Sequence, residues 1–178
     1  MTYCPSSLCL HLHFRFILRQ FTMKFFIPTL LTLIVTAFAL TTETELIVVS
    51  GDTGLTGLYL DSHKEATGTS WVFLSEQGDV QKFWRSTDNS TFHTAYSDAG
   101  TYYLHIKDNY LVMTTKAYSE FTVVPYLAYN GLTSYFYACS GLSDPNDYTD
   151  LQYLVMYYDS GEIVPAGCKT IYINVIAI

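Results

Sequence analysis

Beyond residue 44 the chain runs in short apolar stretches, broken by Gly, Asp, Asn, Ser and Pro. No segment repeats apolar residues at i, i+3, i+4 and i+7, so helices are not expected. The apolar positions are rich in aromatic and β-branched types, which fit a pleated, half-buried surface. The pattern predicts twelve strands, at 45–50, 57–61, 70–75, 80–85, 91–96, 102–107, 110–115, 120–125, 134–139, 153–158, 162–164 and 170–176. Turn residues fall between them at Gly51-Asp52, Gly78-Asp79, Lys107-Asp108-Asn109, Asn130-Gly131 and Asp159-Ser160-Gly161. Asn130-Gly131 is the strongest hairpin signal, because both residues tolerate positive φ.

Twelve short strands at tight spacing make an all-β domain, and two closures satisfy the pattern. One is a β-trefoil, three copies of a four-strand unit of roughly 40 residues. The other is an antiparallel β-sandwich. Gly57-Leu58-Tyr59-Leu60, Thr101-Tyr102-Tyr103-Leu104 and Leu151-Gln152-Tyr153-Leu154 echo one another along the chain and favour the trefoil.

The first 39 residues follow a different pattern. Residues 23–39 begin with Met23-Lys24, continue through an apolar run to Ala37, and end in Ala37-Phe38-Ala39. A basic start, a short apolar helix and small residues at the exit are the three parts of a secretory signal peptide. The apolar run is shorter than the roughly 20 residues a membrane-spanning helix needs. Residues 1–22 precede it with Arg15 and Arg19, no acid and no foldable pattern. They are expected to be a non-structural leader, with translation starting at Met1 or at Met23. Cys4, Cys9, His11 and His13 lie in this stretch with no folded partner to complete a metal site. The expected organisation is a leader at 1–22, a signal peptide at 23–39 and a secreted all-β domain at 40–178.

Charge narrows the partners of that domain. All sixteen acids lie in 40–178 against six bases, Lys64, Lys82, Arg85, Lys107, Lys116 and Lys169, which leaves a net charge of −10. Such a surface repels phosphate backbones and anionic lipid, so neither nucleic acid nor a membrane is an expected partner. The only cysteines in 40–178 are Cys139 and Cys168. In an oxidising compartment an even count implies one disulfide between them.

The chain offers little chemistry. His63, His93 and His105 have no partner at a metal-ligand spacing and read as surface or packing residues. There is no G-x-S-x-G nucleophile motif, and Gly51-Asp52-Thr53-Gly54 lacks the Lys and helix of a phosphate loop. Sixteen acids will bring some pair within glycosidase range, but nothing singles one out. No enzyme, cofactor or metal is expected. Trp84 and Trp71, among many tyrosines, are candidates for stacking on the C–H face of a pyranose, against the competing role of aromatics as strand core filler. Asn89-Ser90-Thr91 is a glycosylation sequon in a polar stretch suited to an exposed turn. The apolar end, 171–178, has no polar spacer or small-residue site before it and reads as a closing strand instead of a lipid-anchor signal.

Several segments resemble the cell-wall mannoproteins of ascomycete yeasts related to the yeast-form wall protein. The resemblance rests on the Met23-Lys24-Phe25 start, the opening at 45–50 leading to Gly57-Leu58, and Ser62-His63-Lys64-Glu65-Ala66. It rests further on Trp71-Val72-Phe73-Leu74, and on Ser143-Asp144-Pro145-Asn146-Asp147-Tyr148 followed by Tyr153-Leu154-Val155. Two departures are an additional Lys64 between His63 and Glu65 and the absence of a Gly before Ala66. The resemblance implies a secreted non-enzymatic cell-wall or surface glycoprotein of a yeast, structural or adhesion-modulating, with cell-wall polysaccharide or wall proteins as partners. Without a Ser/Thr-rich stalk and anchor signal, a soluble or non-covalently retained form is expected. A lectin-like carbohydrate-binding module is the alternative, and a small secreted hydrolase or inhibitor the third.

Overall fold

A computed structural model describes residues 41–66, 68–76, 81–86, 90–96, 100–142 and 153–178. The leader, the signal segment, the Gly78-Asp79 turn, Asn89 and the 143–148 segment lie outside the described residues. The described chain is all-β, in twelve strands: β1 (Thr41–Val49), β2 (Tyr59–Ala66), β3 (Thr69–Ser75), β4 (Phe83–Ser86), β5 (Phe92–Tyr96) and β6 (Gly100–Lys107). Then follow β7 (Tyr110–Thr114), β8 (Phe121–Val123), β9 (Leu127–Tyr129), β10 (Phe136–Cys139), β11 (Tyr153–Tyr157) and β12 (Cys168–Ala177). Ten of them form one large antiparallel sheet, and β8 and β9 pair with each other.

The pairings recur every four strands. Hairpins join β2 to β3, β6 to β7 and β10 to β11. Pairings of a second kind set β4 beside β5, β8 beside β9 and β12 beside β1. A third set forms a ring, in which β3 meets β7, β7 meets β11 and β11 meets β3. Registers recur too: the ring pairs are Trp71 with Val112, Tyr110 with Met156, and Leu154 with Phe73. Trp71, Tyr110 and Leu154 are therefore equivalent, as are Phe73, Val112 and Met156. The same offsets follow from the hairpins, where Leu60 faces Leu74, Leu104 faces Met113 and Phe136 faces Tyr157.

Burial follows this equivalence. Leu46, Phe92 and Leu127 are matched positions on β1, β5 and β9, and all three are fully buried. Phe83, Phe121 and Ile173 form a second buried layer, and Leu60, Leu104 and Phe136 a third. Val72, Leu111 and Val155 form a fourth. Alternation along each strand sends these side chains to one core and their neighbours outward. A smaller cluster lies on the other face of the ring strands, with Phe73, Leu154, Met156 and Tyr158 buried and Trp71 and Tyr110 packed against them.

Most of the expected strands are present, with two corrections. Residues 162–164 are not a strand: they lead into Pro165, which has no N–H to give a ladder, and Ile163 is 91% exposed. A strand stands instead at Leu127–Tyr129, where Pro125 and the short apolar run concealed it. Asn130-Gly131 does form a tight two-residue turn, with φ of 49° and 81°, and Tyr129 and Leu132 exchange backbone hydrogen bonds across it. It closes a lone bridge instead of the expected hairpin, because the following strand pairs with β11 and β12. The echo at 151–154 is also out of register. Tyr153 and Leu154 lie on β11, the counterpart of β3 and β7, whereas the first two echoes begin β2 and β6.

The core carries a titratable group with a measurable consequence. Tyr157 packs edge-on against Tyr129, Tyr135 and Phe136. Burial first, then the charge of Asp159, pushes its phenol up to about 12. An unfolded tyrosine ionises near about 10. The fold thus favours the neutral phenol, and this contribution to stability is whole below about pH 10 and lost as pH rises towards 12. Unfolding free energy measured by urea titration should fall across that window, and Tyr157→Phe should flatten the slope. An identical slope in both proteins would assign the alkaline loss elsewhere.

Candidate functional site

One row of side chains crosses six strands on the outer face of the sheet. Glu43 on β1 is in register with Trp84 on β4, and Trp84 with His93 on β5. His93 is in register with Tyr103 on β6, Tyr103 with Thr114 on β7, and Thr114 with Thr69 on β3. All six are half-buried. Their inward neighbours Phe83, Phe92, Leu104 and Met113 are fully buried, so core packing fixes the strands that present the row.

The centre of the row is aromatic. The Trp84 and His93 rings stack at 6.2 Å with planes 24° apart, and His93 and Tyr103 lie 5.7 Å apart at 44°. His93 Nδ1 is buried with no hydrogen-bond partner among the described residues. Burial pushes the pKa of this imidazole below its ordinary value, which favours the neutral ring. At the β1 end, Lys82 Nζ lies 2.6 Å from Glu43 Oε1. That hydrogen bond, with the charge of Glu43, holds the Lys82 amine above its usual range. The pair cancels its own charge. Thr114 Oγ1 donates to the backbone oxygen of Lys116 at 3.1 Å, which leaves its lone pairs to accept.

The repeating register provides a comparison inside the chain. The counterparts of Trp84, His93 and Tyr103 are Thr122, Ala128 and Tyr135 in one direction and Asn174, Ile47 and Tyr59 in the other. The tyrosine recurs in all three sets. Trp and His do not, although the core layers beneath stay apolar throughout. The fold therefore accepts Thr or Asn where the row carries Trp84, and Ala or Ile where it carries His93.

The other candidates are placed as follows. Trp71 stacks on Tyr110 at 4.8 Å and 12° and joins the smaller apolar cluster, which favours a packing role. Cys139 and Cys168 form a disulfide, with S–S 2.04 Å, between directly opposed positions of β10 and β12. His63 lies edge-on to Phe73, with Nε2 3.8 Å from Asp61. His105 lies flat against Tyr118 at 3.6 Å, with Nδ1 3.0 Å from Glu120 Oε2. Among the described residues no three His, Cys, Asp or Glu side chains gather as a metal site, and no helix is long and apolar enough to cross a membrane. Asn89 lies outside the described residues.

Only Trp84 of this row was singled out in the sequence. Glu43, His93, Tyr103, Thr114 and Thr69 join it through pairings between strands far apart in the chain, β1 with β4 and β3 with β7. Period-two alternation marks each as outward-facing, but it does not order the strands. No family model, curated protein or solved structure matches the chain.

Proposed function

We propose that the chain is a secreted, non-enzymatic surface protein of a yeast cell wall, built on a β-trefoil, that contacts wall carbohydrate through the Trp84 row. The trefoil is supported by the four-strand recurrence of pairings and registers, and by the matched buried layers. An antiparallel β-sandwich gives no reason for such recurrence. Secretion is supported by the signal-like segment at 23–39 and is compatible with the disulfide. The yeast wall is the setting implied by the resemblance.

The observation that carries the binding reading is the half-buried run Trp84, His93 and Tyr103 on the outer face, in one of three equivalent places. Such rings stack on the apolar faces of sugars, and a net charge of −10 disfavours attachment through anionic lipid. The same row favours the lectin-like alternative, in which saccharide recognition is the whole role instead of a means of retention. Mature protein added to isolated yeast walls should be retained, should release no reducing sugar, and should be lost from them on Trp84→Ala. Release of reducing sugar abolished by changing one carboxylate would replace the binding reading with an enzymatic one.

A further inference from the structure

We infer that the Trp84 row takes an uncharged, linear polysaccharide, held along an internal stretch of its chain, with one such track per molecule. The inference rests on the carbohydrate reading above and names the ligand class of that site.

Shape is the first ground. The six residues are consecutive register partners, so they follow one another as a continuous path over the outer face, which bends because β1, β2, β3, β7, β6, β5 and β4 pair in a closed circuit. At about 4.8 Å per strand, five steps make a path of roughly 24 Å measured along the sheet surface. One sugar covers only part of that length. Rings occupy the middle, and polar groups the ends: the Glu43 carboxylate on β1, and the Thr114 and Thr69 hydroxyls on β7 and β3. A pyranose chain matches this order, with C–H faces over the rings and hydroxyls bonded to Glu43, Thr114 and Thr69.

Charge is the second ground. The charge of the row is offset, because Lys82 pairs with Glu43 at 2.6 Å, and burial disfavours protonation of His93. None of the six side chains of the row is a lysine or arginine that would recognise a carboxylated or sulfated polymer. The surrounding domain, at −10, repels one.

The internal comparison is the third ground, and it sets the number of tracks. Thr122 and Ala128, and Asn174 and Ile47, stand where a second and third track would need Trp and His. Packing does not demand the aromatics of the first, so their presence there is a matter of surface recognition.

The test is calorimetric titration of the mature chain with a disaccharide, a hexasaccharide and a soluble polymer, in β-glucan, chitin and mannan series, with carboxymethylated β-glucan as a charged control. In one series affinity should rise more than about tenfold from disaccharide to hexasaccharide. It should fall on carboxymethylation, and the hexasaccharide should bind at one per protein. Trp84→Thr, which installs the residue of its counterpart Thr122, should weaken hexasaccharide binding about tenfold or more with an unchanged thermal midpoint. Thr69→Ala should weaken the hexasaccharide and leave the disaccharide as it was. If a disaccharide binds as tightly as the polymer, or the carboxymethylated polymer binds tighter, the track is wrong while the carbohydrate reading stands. Two or three hexasaccharides per protein would overturn the single track. No saccharide binding and no wall retention would remove both.

Discussion

Phe92→Ala should lower the stability of the domain by about 3–5 kcal/mol, the range for truncating a buried phenylalanine. The ring is fully buried in the same core cluster as the matched Leu46 and Leu127, and lies edge-on to Phe121 at 6.4 Å. Phe121 in turn contacts Tyr129, which meets Tyr157. Truncation removes the transfer free energy of the ring and leaves a void that β4, β6 and β8 can close only by moving. A small domain has about 5–15 kcal/mol in all, so the loss is a large fraction of its stability. Urea unfolding should show an earlier midpoint at a similar slope, because the area exposed on unfolding barely changes. Leu46→Ala and Leu127→Ala at the equivalent positions should cost about 2–5 kcal/mol each. A loss below about 1 kcal/mol for all three would mean that the matched layer is not a packed core.

The cysteine count carried the disulfide, and the alternation of apolar and polar positions carried the all-β class and most of the strand positions. It could do so because each depends on neighbours in the chain: period two within a strand, and turn residues such as Asp108-Asn109, whose φ values of 50° and 70° suit a tight hairpin. What it missed depends on distant contacts. Leu127–Tyr129 is three residues long and pairs with β8, so its own pattern is too short to register. The echo at 151–154 looked like a third copy because Tyr-Leu recurs, but registry belongs to cross-strand partners and not to dipeptides. The aromatic row was invisible for a related reason. Trp84 and Tyr103 are nineteen positions apart, and only the intervening β5 makes them parts of one surface.

Placement also decides what each aromatic can do. Trp71 and Trp84 both sit within strands beside one apolar and one polar neighbour, and in sequence they look alike. Trp71 lies on a ring strand, where Tyr110 of the next ring strand stacks on it and the smaller cluster absorbs it. Trp84 lies on β4, where the neighbours across the ladder are Glu43 and His93. Replacing Trp71 should therefore act on packing, and replacing Trp84 on binding.

Replacing both cysteines, Cys139→Ala with Cys168→Ala, should cost roughly 2–4 kcal/mol. The bond spans 29 residues, and the chain-entropy account of such a loop gives a loss of between 3 and 4 kcal/mol at room temperature. Its location says which part of the fold responds. β12 pairs with β10 from Cys168 to Ile171 and with β1 from Tyr172 to Ala177. The cystine closes the end of the first ladder, with Cys139 fully buried in the smaller cluster beside Leu154 and Met156. Removing it frees Lys169 and Thr170 from one anchor, while the second half of β12 keeps its ladder to β1 and the Leu46 and Ile173 core beneath. Hydrogen exchange in the variant should show protection lost first at 168–171 and retained at 172–176. The denaturation midpoint of the native chain should fall by the same amount on reduction with a dithiol, since the alanines and the reduced thiols both open the loop. A midpoint indifferent to reduction would show that the β10–β12 ladder holds without the bond, and that the stabilisation assigned to the closed loop is absent.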